Sequence, residues 1–340
     1  MKILVRVDGS EQLGNGHIFR MKALSDQLQD MKLEHAFAIR MEDFWVSNFR
    51  NDGREVYKLS SRLNDNVSEL SGLILNLKIT HLVYDTRNDL TKEELICIKK
   101  QTGVRLAVID SPEETRLVAD VNLYPPLPQL NEWDWSGFEG SEILSGWEFV
   151  LLRKEFLVRH KIKDSMIKPQ SVLLSFGSTD PFCITEQVLD LLAQNKEFLI
   201  GMKYFILTGP QFTRTEKLRE LISALNLPAE IIIAPENIVD LYRSVDMAII
   251  AFGVTAYELV ACEVPFLSVS ISADHERSAS LFESCGLSVS LGIIEELHKN
   301  LLSKLRDFVE SYKSKTVILN KFNSEIKISN YKKIIYAIIN

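Results

Sequence analysis

Cysteine is scarce and dispersed in this chain. Cys97, Cys183, Cys262 and Cys285 include no Cys-x-x-Cys pair, which argues against a zinc ribbon and offers no disulfide framework. A reducing cytoplasm is the compartment that fits. Positive charge is not in excess either: 39 Lys and Arg stand against 46 Asp and Glu, a formal net charge of −7, and no arginine-rich stripe follows any predicted element. A nucleic-acid interface resting on a broad basic face is therefore not expected. Long apolar runs are missing. Nothing approaches the roughly 18 residues of a membrane-spanning helix, and "MKILVRV" meets Asp8 too soon to be the apolar core of a signal peptide. Of the six histidines, His17, His35, His81, His160, His275 and His298, no two share a helix at ligand spacing, so neither a metal nor a cofactor is expected.

What is present is enough apolar residue for two cores: 46% of 340 residues. Short runs that are apolar on both faces, "KILVRV" (2–7), "HAFAI" (35–39), "HLVYD" (81–85) and "RLAVID" (105–110), read as buried parallel strands. Helical spacing falls between them, over 17–30 and over 91–102, where Thr91 before "KEEL" marks a helix start. The alternation breaks in the Pro-, Gly- and Trp-rich stretch around 125–170. It resumes as strand 171–177, helix 182–195, strand 203–209, helix 213–224, strand 230–235, helix 237–244, strand 247–253, helix 255–262 and strand 265–271. The expected architecture is α/β, two doubly wound Rossmann-like units in tandem. Their expected bounds are 1–150 and 171–320, joined by a passage at 151–170 and followed by a C-terminal helix over 321–340, whose lysines read as a solvated face or, alternatively, as a membrane-surface or partner contact.

The stretch "DGSEQLGNGHIFR", 8–20, follows the first strand directly. Gly14 and Gly16 bracket Asn15 and permit a sharp turn, after which His17 opens a helix. A dinucleotide fingerprint needs a third small residue where Phe19 stands, so nicotinamide binding is disfavoured. A histidine in the first turn of a helix is held neutral by the positive dipole end and can accept a proton from water; a plain capping role is the alternative. "SFGSTDP" (175–181) again runs from a strand into small residues, where Ser178 is either a phosphate ligand or a helix cap. "AFGVTAYELV" (251–260) delivers Gly253, Val254 and Thr255 to a helix start, with Glu258 one turn inside. That order suits backbone N–H groups and a hydroxyl on a diphosphate and a carboxylate on a ribose diol, although an exposed helix carboxylate would look the same. In "SGWEFVLLRKEF", 145–156, Arg153 reads as an interdomain or anion contact, or as a surface arginine.

In combination these stretches resemble the UDP-sugar hydrolases of the pseudaminic acid pathway, relatives of the peptidoglycan N-acetylglucosaminyltransferase with the GT-B fold. The matches are Gly14, Gly16, His17 and Arg20 to a "GxGHxxR" pattern, then "LAVIDSPEETRLVADVNLYP", "SGWEFVLLRKEF", "SFGSTDP" and "AFGVTAYELVACEVP", in the family's order over about 1–292. The resemblance implies two units facing a cleft and hydrolysis of UDP-2,4-diacetamido-2,4,6-trideoxy-β-L-altropyranose without a metal, with His17 as general base. It also implies a substrate site formed by Asp8, Gly14, Asn15, Gly16, Arg20, Ser178, Ile238, Gly253, Val254, Thr255 and Glu258, with the segment around Ile238 against the uracil. The protein is expected to be a cytoplasmic monomer in surface-glycan biosynthesis whose partner is the UDP-sugar. The departures from the family's pattern are Ser178 and Thr179 for Gly-Ser, Phe252 and Val254 in the second loop, Asp110-Ser111 for paired aspartates, and "DHE" at 274–276 where relatives carry Asn-Gln. They bear on the sugar more than on the nucleotide, and they keep open a GT-B glycosyltransferase and a non-catalytic nucleotide-sugar binding protein.

Overall fold

The computed structural model describes residues 1–8, 15–40, 43–60, 66–138, 140, 142–158, 168–195, 198 and 201–340. They form two compact units. One is Met1–Arg153 together with Ile328–Asn340, and the other is Lys154–Lys327.

The first unit is built on seven strands: β1 (Lys2–Val7), β2 (Glu34–Ile39), β3 (Val56–Lys58), β4 (His81–Asp85), β5 (Arg105–Ile109), β6 (Val121–Tyr124) and β7 (Glu142–Ser145). All pair in parallel, in the order β3-β2-β1-β4-β5-β6-β7. The helices that connect them are α1 (Gly16–Asp30), α2 (Asp43–Asn51), α3 (Asn66–Asn76) and α4 (Lys92–Thr102). Ile3, Leu4, Val5 and Val7 are wholly buried, because helices cover both faces of a parallel sheet and leave no face for polar residues. α4 begins where the sequence signals it. Thr91 Oγ1 accepts the Glu94 N–H at 3.2 Å, Glu94 Oε2 accepts the Thr91 N–H at 2.8 Å, and Gly103 at φ 67° closes the helix.

The second unit holds β8 (Ser171–Ser175), β9 (Lys203–Thr208), β10 (Ala229–Ile233), β11 (Met247–Ala251), β12 (Phe266–Ser270) and β13 (Ser288–Ile293). They too pair in parallel, in the order β10-β9-β8-β11-β12-β13. Its helices are α5 (Ile184–Ala193), α6 (Thr215–Ala224), α7 (Ile238–Ser244), α8 (Val254–Ala261), α9 (Ala273–Ser284) and the long α10 (Leu297–Glu325).

The chain beyond 320 departs from the expected single helix. α10 ends at Glu325, and a separate α11 (Tyr331–Ile339) packs on the first unit. Tyr331 Oη donates to the Leu152 carbonyl at 2.6 Å, and His81 Nε2 lies 3.2 Å from the Ile339 carbonyl. Ile334, Ile335 and Ile338 are fully buried. Lys332 and Lys333 are therefore the outer face of a helix whose other side is core.

In each sheet the strand order reverses once, between β1 and β4 in the first and between β8 and β11 in the second. Loops leaving neighbouring strands at such a point diverge to opposite faces and open a crevice at the carboxyl ends, the usual ligand position in open α/β sheets.

Candidate functional site

The reversal point of the first sheet carries a charged cluster. β1 leads toward His17 and Arg20 on α1, β4 ends on Asp85, and Asp110 follows β5. His17 Nδ1 lies 2.6 Å from Asp85 Oδ1. Arg20 Nε donates to Asp85 Oδ2 at 2.6 Å, its Nη2 to Asp85 Oδ1, and its Nη1 to Asp110 Oδ2 at 2.6 Å. Helical spacing explains the partnership, since residues 17 and 20 stand one turn apart on the same face. Arg20 thus spends its donors inside the protein and positions the cluster.

The Asp85 side chain is fully buried, whereas that of His17 retains 13% exposure. Burial alone would raise the Asp85 pKa; the Arg20 guanidinium and His17 outweigh it and hold the carboxyl well below the ordinary range. An ionised carboxylate only accepts, so the His17 Nδ1 carries the ring proton toward it. The 3.0 Å separation of Arg20 Nη2 and His17 Nδ1 is then two donors converging on one oxygen. His17 Nε2 is hydrogen-bonded to no described residue and bears the free lone pair. Burial is the largest influence on His17 and lowers its pKa below 6.5; Asp85 pulls upward, Arg20 and Arg87 downward. The ring is neutral at pH 7, chiefly through desolvation.

Asp8 and Asn15 are both buried. Asp8 pairs with the buried Arg6 and accepts the Arg40 N–H at 2.9 Å. Arg6 also reaches Asp89 at 2.9 Å, so Asp8 at the end of β1 is tied through Arg6 to the loop after β4. Asn15 is the N-cap of α1 and Gly16 its first residue. Gly14 lies outside the described residues. Arg153, in the same unit, stands 5.7 Å over the Phe19 ring.

At the reversal point of the second sheet, two loops differ in how their helix starts are used. After β8, Asp180 accepts the Ile184 and Thr185 N–H groups at 2.9 and 2.8 Å, so the first amides of α5 are already occupied. Arg214 holds this corner by donating to the Asp180 carbonyl at 2.7 Å and to Glu186 at 2.9 Å. Ser178 lies against Gly209, whose N–H donates to the Ser178 carbonyl at 2.8 Å. A Cβ on Gly209 would come within 1.8 Å of Ser178 Oγ and 2.8 Å of its carbonyl oxygen. Gly209→Ala is therefore expected to destabilise the protein by about 1–3 kcal/mol and to distort the Ser178 loop. Adding Ser178→Gly should restore part of the lost melting temperature, and a fully additive double variant would contradict the clash.

After β11, α8 starts at Gly253 with no side-chain cap, and the space beside Gly253 is open. Val254 and Thr255 follow, partly exposed, in the first turn. Glu258 is buried and accepts from Tyr242 Oη of α7 at 3.2 Å. Ile238 is the first, partly exposed residue of α7, behind the N-cap Asn237. Phe252 does not crowd this loop: it is buried, edge-on to Phe282 at 5.2 Å and near Tyr257 at 6.4 Å. Glu276 is engaged with Ser290 Oγ at 2.8 Å, and His275 packs 6.2 Å from the Phe252 ring.

The structure thus brings His17, Arg20 and Asp110 together in one unit, and Gly253, Val254, Thr255, Glu258 and Ile238 along neighbouring elements of the other. The residues that sequence reasoning passed over are Asp85 and Arg87. Asp85 had a signal: a carboxylate ending the otherwise apolar central run "HLVYD" must be partnered or functional.

No protein-family model matches the chain. It is 25% identical over 297 residues to UDP-2,4-diacetamido-2,4,6-trideoxy-β-L-altropyranose hydrolase of Campylobacter jejuni, covering 85% of this chain and 98% of that one. It is also 25% identical over 279 residues, 78% of its length, to the uncharacterized protein MJ1062 of Methanocaldococcus jannaschii, of which it spans only 54%. Among solved structures, MurG of Acinetobacter baumannii matches with TM-score 0.62 at 15% identity over 99% of both chains. HepE of Anabaena, solved with UDP-glucose, matches with TM-score 0.64 at 13% identity over 99% of this chain and 98% of that one. The spinosyn rhamnosyltransferase SpnG, solved with thymidine diphosphate, matches with TM-score 0.65 at 14% identity over the whole of both. These likenesses establish the fold as that of GT-B glycosyltransferases, two parallel-sheet α/β units. Among the described residues no helix is long and apolar enough to cross a membrane.

Proposed function

We propose that the protein hydrolyses a UDP-linked 2,4-diacetamido-2,4,6-trideoxy sugar to the free sugar and UDP. The observation that carries this reading is the His17–Asp85 pair: a neutral imidazole whose Nδ1–H is fixed by a buried carboxylate and whose Nε2 is hydrogen-bonded to no described residue. The likeness to the Campylobacter jejuni hydrolase over 85% of the chain supplies the substrate.

In the proposed reaction Nε2 accepts a proton from water as the water oxygen bonds to the anomeric carbon. The bond from that carbon to the β-phosphate oxygen breaks, and its electron pair leaves with UDP. Attack opposite the leaving group inverts the anomeric centre. Asp85 stabilises the imidazolium that forms, and Arg20 keeps Asp85 in place. In the second unit the first amides of α8, at Val254 and Thr255, with the Thr255 hydroxyl and the Gly253 turn, take the diphosphate. Glu258 takes the ribose diol, the segment at Ile238 faces the uracil, and Ser178 contributes from the β8 loop. Asp8, Asn15 and Gly16 border the sugar. UDP held in this way is a good leaving group, so the water is the reactant that needs a base. The place of the reaction is the cytoplasm, in surface-glycan synthesis.

A second reading, a glycosyltransferase in which His17 deprotonates an acceptor alcohol, is favoured by one observation: the matched solved structures include a rhamnosyltransferase. Both readings are tested by incubating the diacetamido UDP-sugar with the protein in ¹⁸O-water without an acceptor. Release of UDP with label in the free sugar supports the hydrolase. Release only after an acceptor extract is added supports the transferase and sinks the hydrolase.

A further inference from the structure

Beside His17 stands an arginine that the proposed mechanism leaves unused. Arg87, two residues after the end of β4, donates from Nη1 to the Thr86 carbonyl at 3.1 Å and from Nη2 to the Asp110 carbonyl. Its Nη2 is 3.9 Å from Asp110 Oδ2, and its side chain is 18% exposed. Nε is hydrogen-bonded to no described residue. Asp110 sits at φ 50°, a left-handed conformation that costs a residue with a Cβ. Arg87 on its carbonyl and Arg20 on Oδ2 hold it there, leaving Oδ1 without a hydrogen bond from any described residue. The loop that carries Arg87 is pinned directly after it: the Asn88 N–H donates to Glu113 at 2.8 Å, and Asp89 is gripped by Arg6 and Arg40 at 2.9 and 3.2 Å.

The local charge decides what such a site accepts. Arg20 and Arg87 balance Asp85 and Asp110, so with His17 neutral the cluster carries no net charge. A phosphate would meet two carboxylates here and gain little; a neutral group with its own donor and acceptor fits better. The geometry points to Arg87 and Asp110 as the sugar-recognition pair of this site, Arg87 Nε–H donating to the carbonyl oxygen of an acetamido substituent and Asp110 Oδ1 accepting from a neighbouring N–H or O–H of the same ring. The inference rests on the proposed UDP-sugar substrate and deepens it: the pair selects sugars bearing an amide next to the reacting centre.

The test compares wild type, Arg87→Gln and Arg87→Lys, using calorimetric affinity for UDP and for the diacetamido UDP-sugar, together with KM and kcat. Loss of one charge-assisted hydrogen bond predicts at least about a tenfold rise in Kd and KM for the UDP-sugar in Arg87→Gln. UDP affinity should stay within about twofold. Near-UV circular dichroism, reporting Trp133 and Trp135 of the same unit, checks the fold; if the Gln variant loses that signal, the Lys variant decides, since it keeps the charge and lacks Nε–H. Unchanged KM in a folded variant, or equal loss for UDP and UDP-sugar, overturns the inference while leaving the hydrolase reading intact. Sugar-dependent affinity that vanishes in Arg87→Gln, in a wild type that releases UDP only with an acceptor, sustains the inference and overturns the hydrolase. Failure of wild type to bind the UDP-sugar more tightly than UDP overturns the inference.

Discussion

His17→Asn is expected to lower the rate of UDP release by at least about a hundredfold, the usual scale of a lost general base, with UDP affinity unchanged within about twofold. Asparagine is the informative replacement because its amide nitrogen overlays His17 Nδ1 and can still donate to Asp85 Oδ1, as Nδ1 does at 2.6 Å. The buried carboxylate keeps a partner and the fold is spared. What disappears is the basic lone pair at Nε2. A kcat within about fivefold of wild type would place the base elsewhere and remove the principal support for hydrolysis. The pH profile offers an independent check. The His17 pKa is lowered, so its ring loses its proton below pH 6.5 and the acid limb of kcat/KM should lie under that value. A limb above 6.5 would contradict the geometry, in which burial outweighs Asp85.

Asp85→Asn is expected to cost nearly as much activity while leaving the His17 ring itself intact. Arg20 Nε and Nη2 both donate to the Asp85 carboxylate, and an asparagine can meet them only through its single carbonyl oxygen. Its NH₂ group in the place of Oδ2 opposes Arg20 Nε, and in the place of Oδ1 it opposes Arg20 Nη2 and is directed at His17 Nδ1, which must turn from donor to acceptor. The ring proton moves to Nε2, and the base has no lone pair toward water. A loss of about a hundredfold or more in kcat, little change in KM, and near-normal UDP binding are the expected signature. Equal activity would show that the tautomer is not set by Asp85.

The same substitution should alter acid stability in a defined sense. The folded-state pKa of Asp85 is depressed, so its contribution is complete above the unfolded carboxylate value, near 3.9, and is lost as pH falls through the lower folded value. Asp85→Asn should therefore lower the melting temperature at pH 7 and flatten the acid loss of stability below about pH 4. His17 acts in a higher window: its folded pKa is below 6.5, the unfolded chain binds the proton first, and stability declines as pH falls below that value. The two losses begin at different pH values, below 6.5 for His17 and below about 3.9 for Asp85, and melting temperatures measured from pH 8 to pH 3 on both variants would register each onset.

Much of the fold was legible because buried parallel strands announce themselves: β1, β4, β5, β8, β9 and β11 are short apolar runs bounded by turn residues. β3 and β7 were not, since an edge strand of three or four residues such as "EILS", largely exposed, carries no distinctive pattern. At the first site, His17 stood out as a histidine opening a helix, and Arg20 through its match to the "GxGHxxR" pattern. Arg87 did not, because "DTRND" looks like an ordinary polar loop until the register of β4 beside β5 sets it against Asp110. In "SFGSTDP" the sequence left Ser178 open between phosphate ligand and cap; Asp180 proved to be the residue that caps α5.

The return of α11 to the first unit has a consequence for how the chain acquires its structure. Residues 154–327 form one uninterrupted body inserted into another whose last piece is made after it. During synthesis, strands β1 to β7 leave the ribosome first, yet Leu152, Arg105 and His81 gain their carbonyl and hydroxyl partners only when Tyr331, Ile338 and Ile339 arrive. The second body can therefore be complete while the first still exposes the apolar surface that Ile334, Ile335 and Ile338 will cover. The half of the molecule that begins folding is the half that finishes it, and its interval of vulnerability to aggregation lasts as long as translation of the insert.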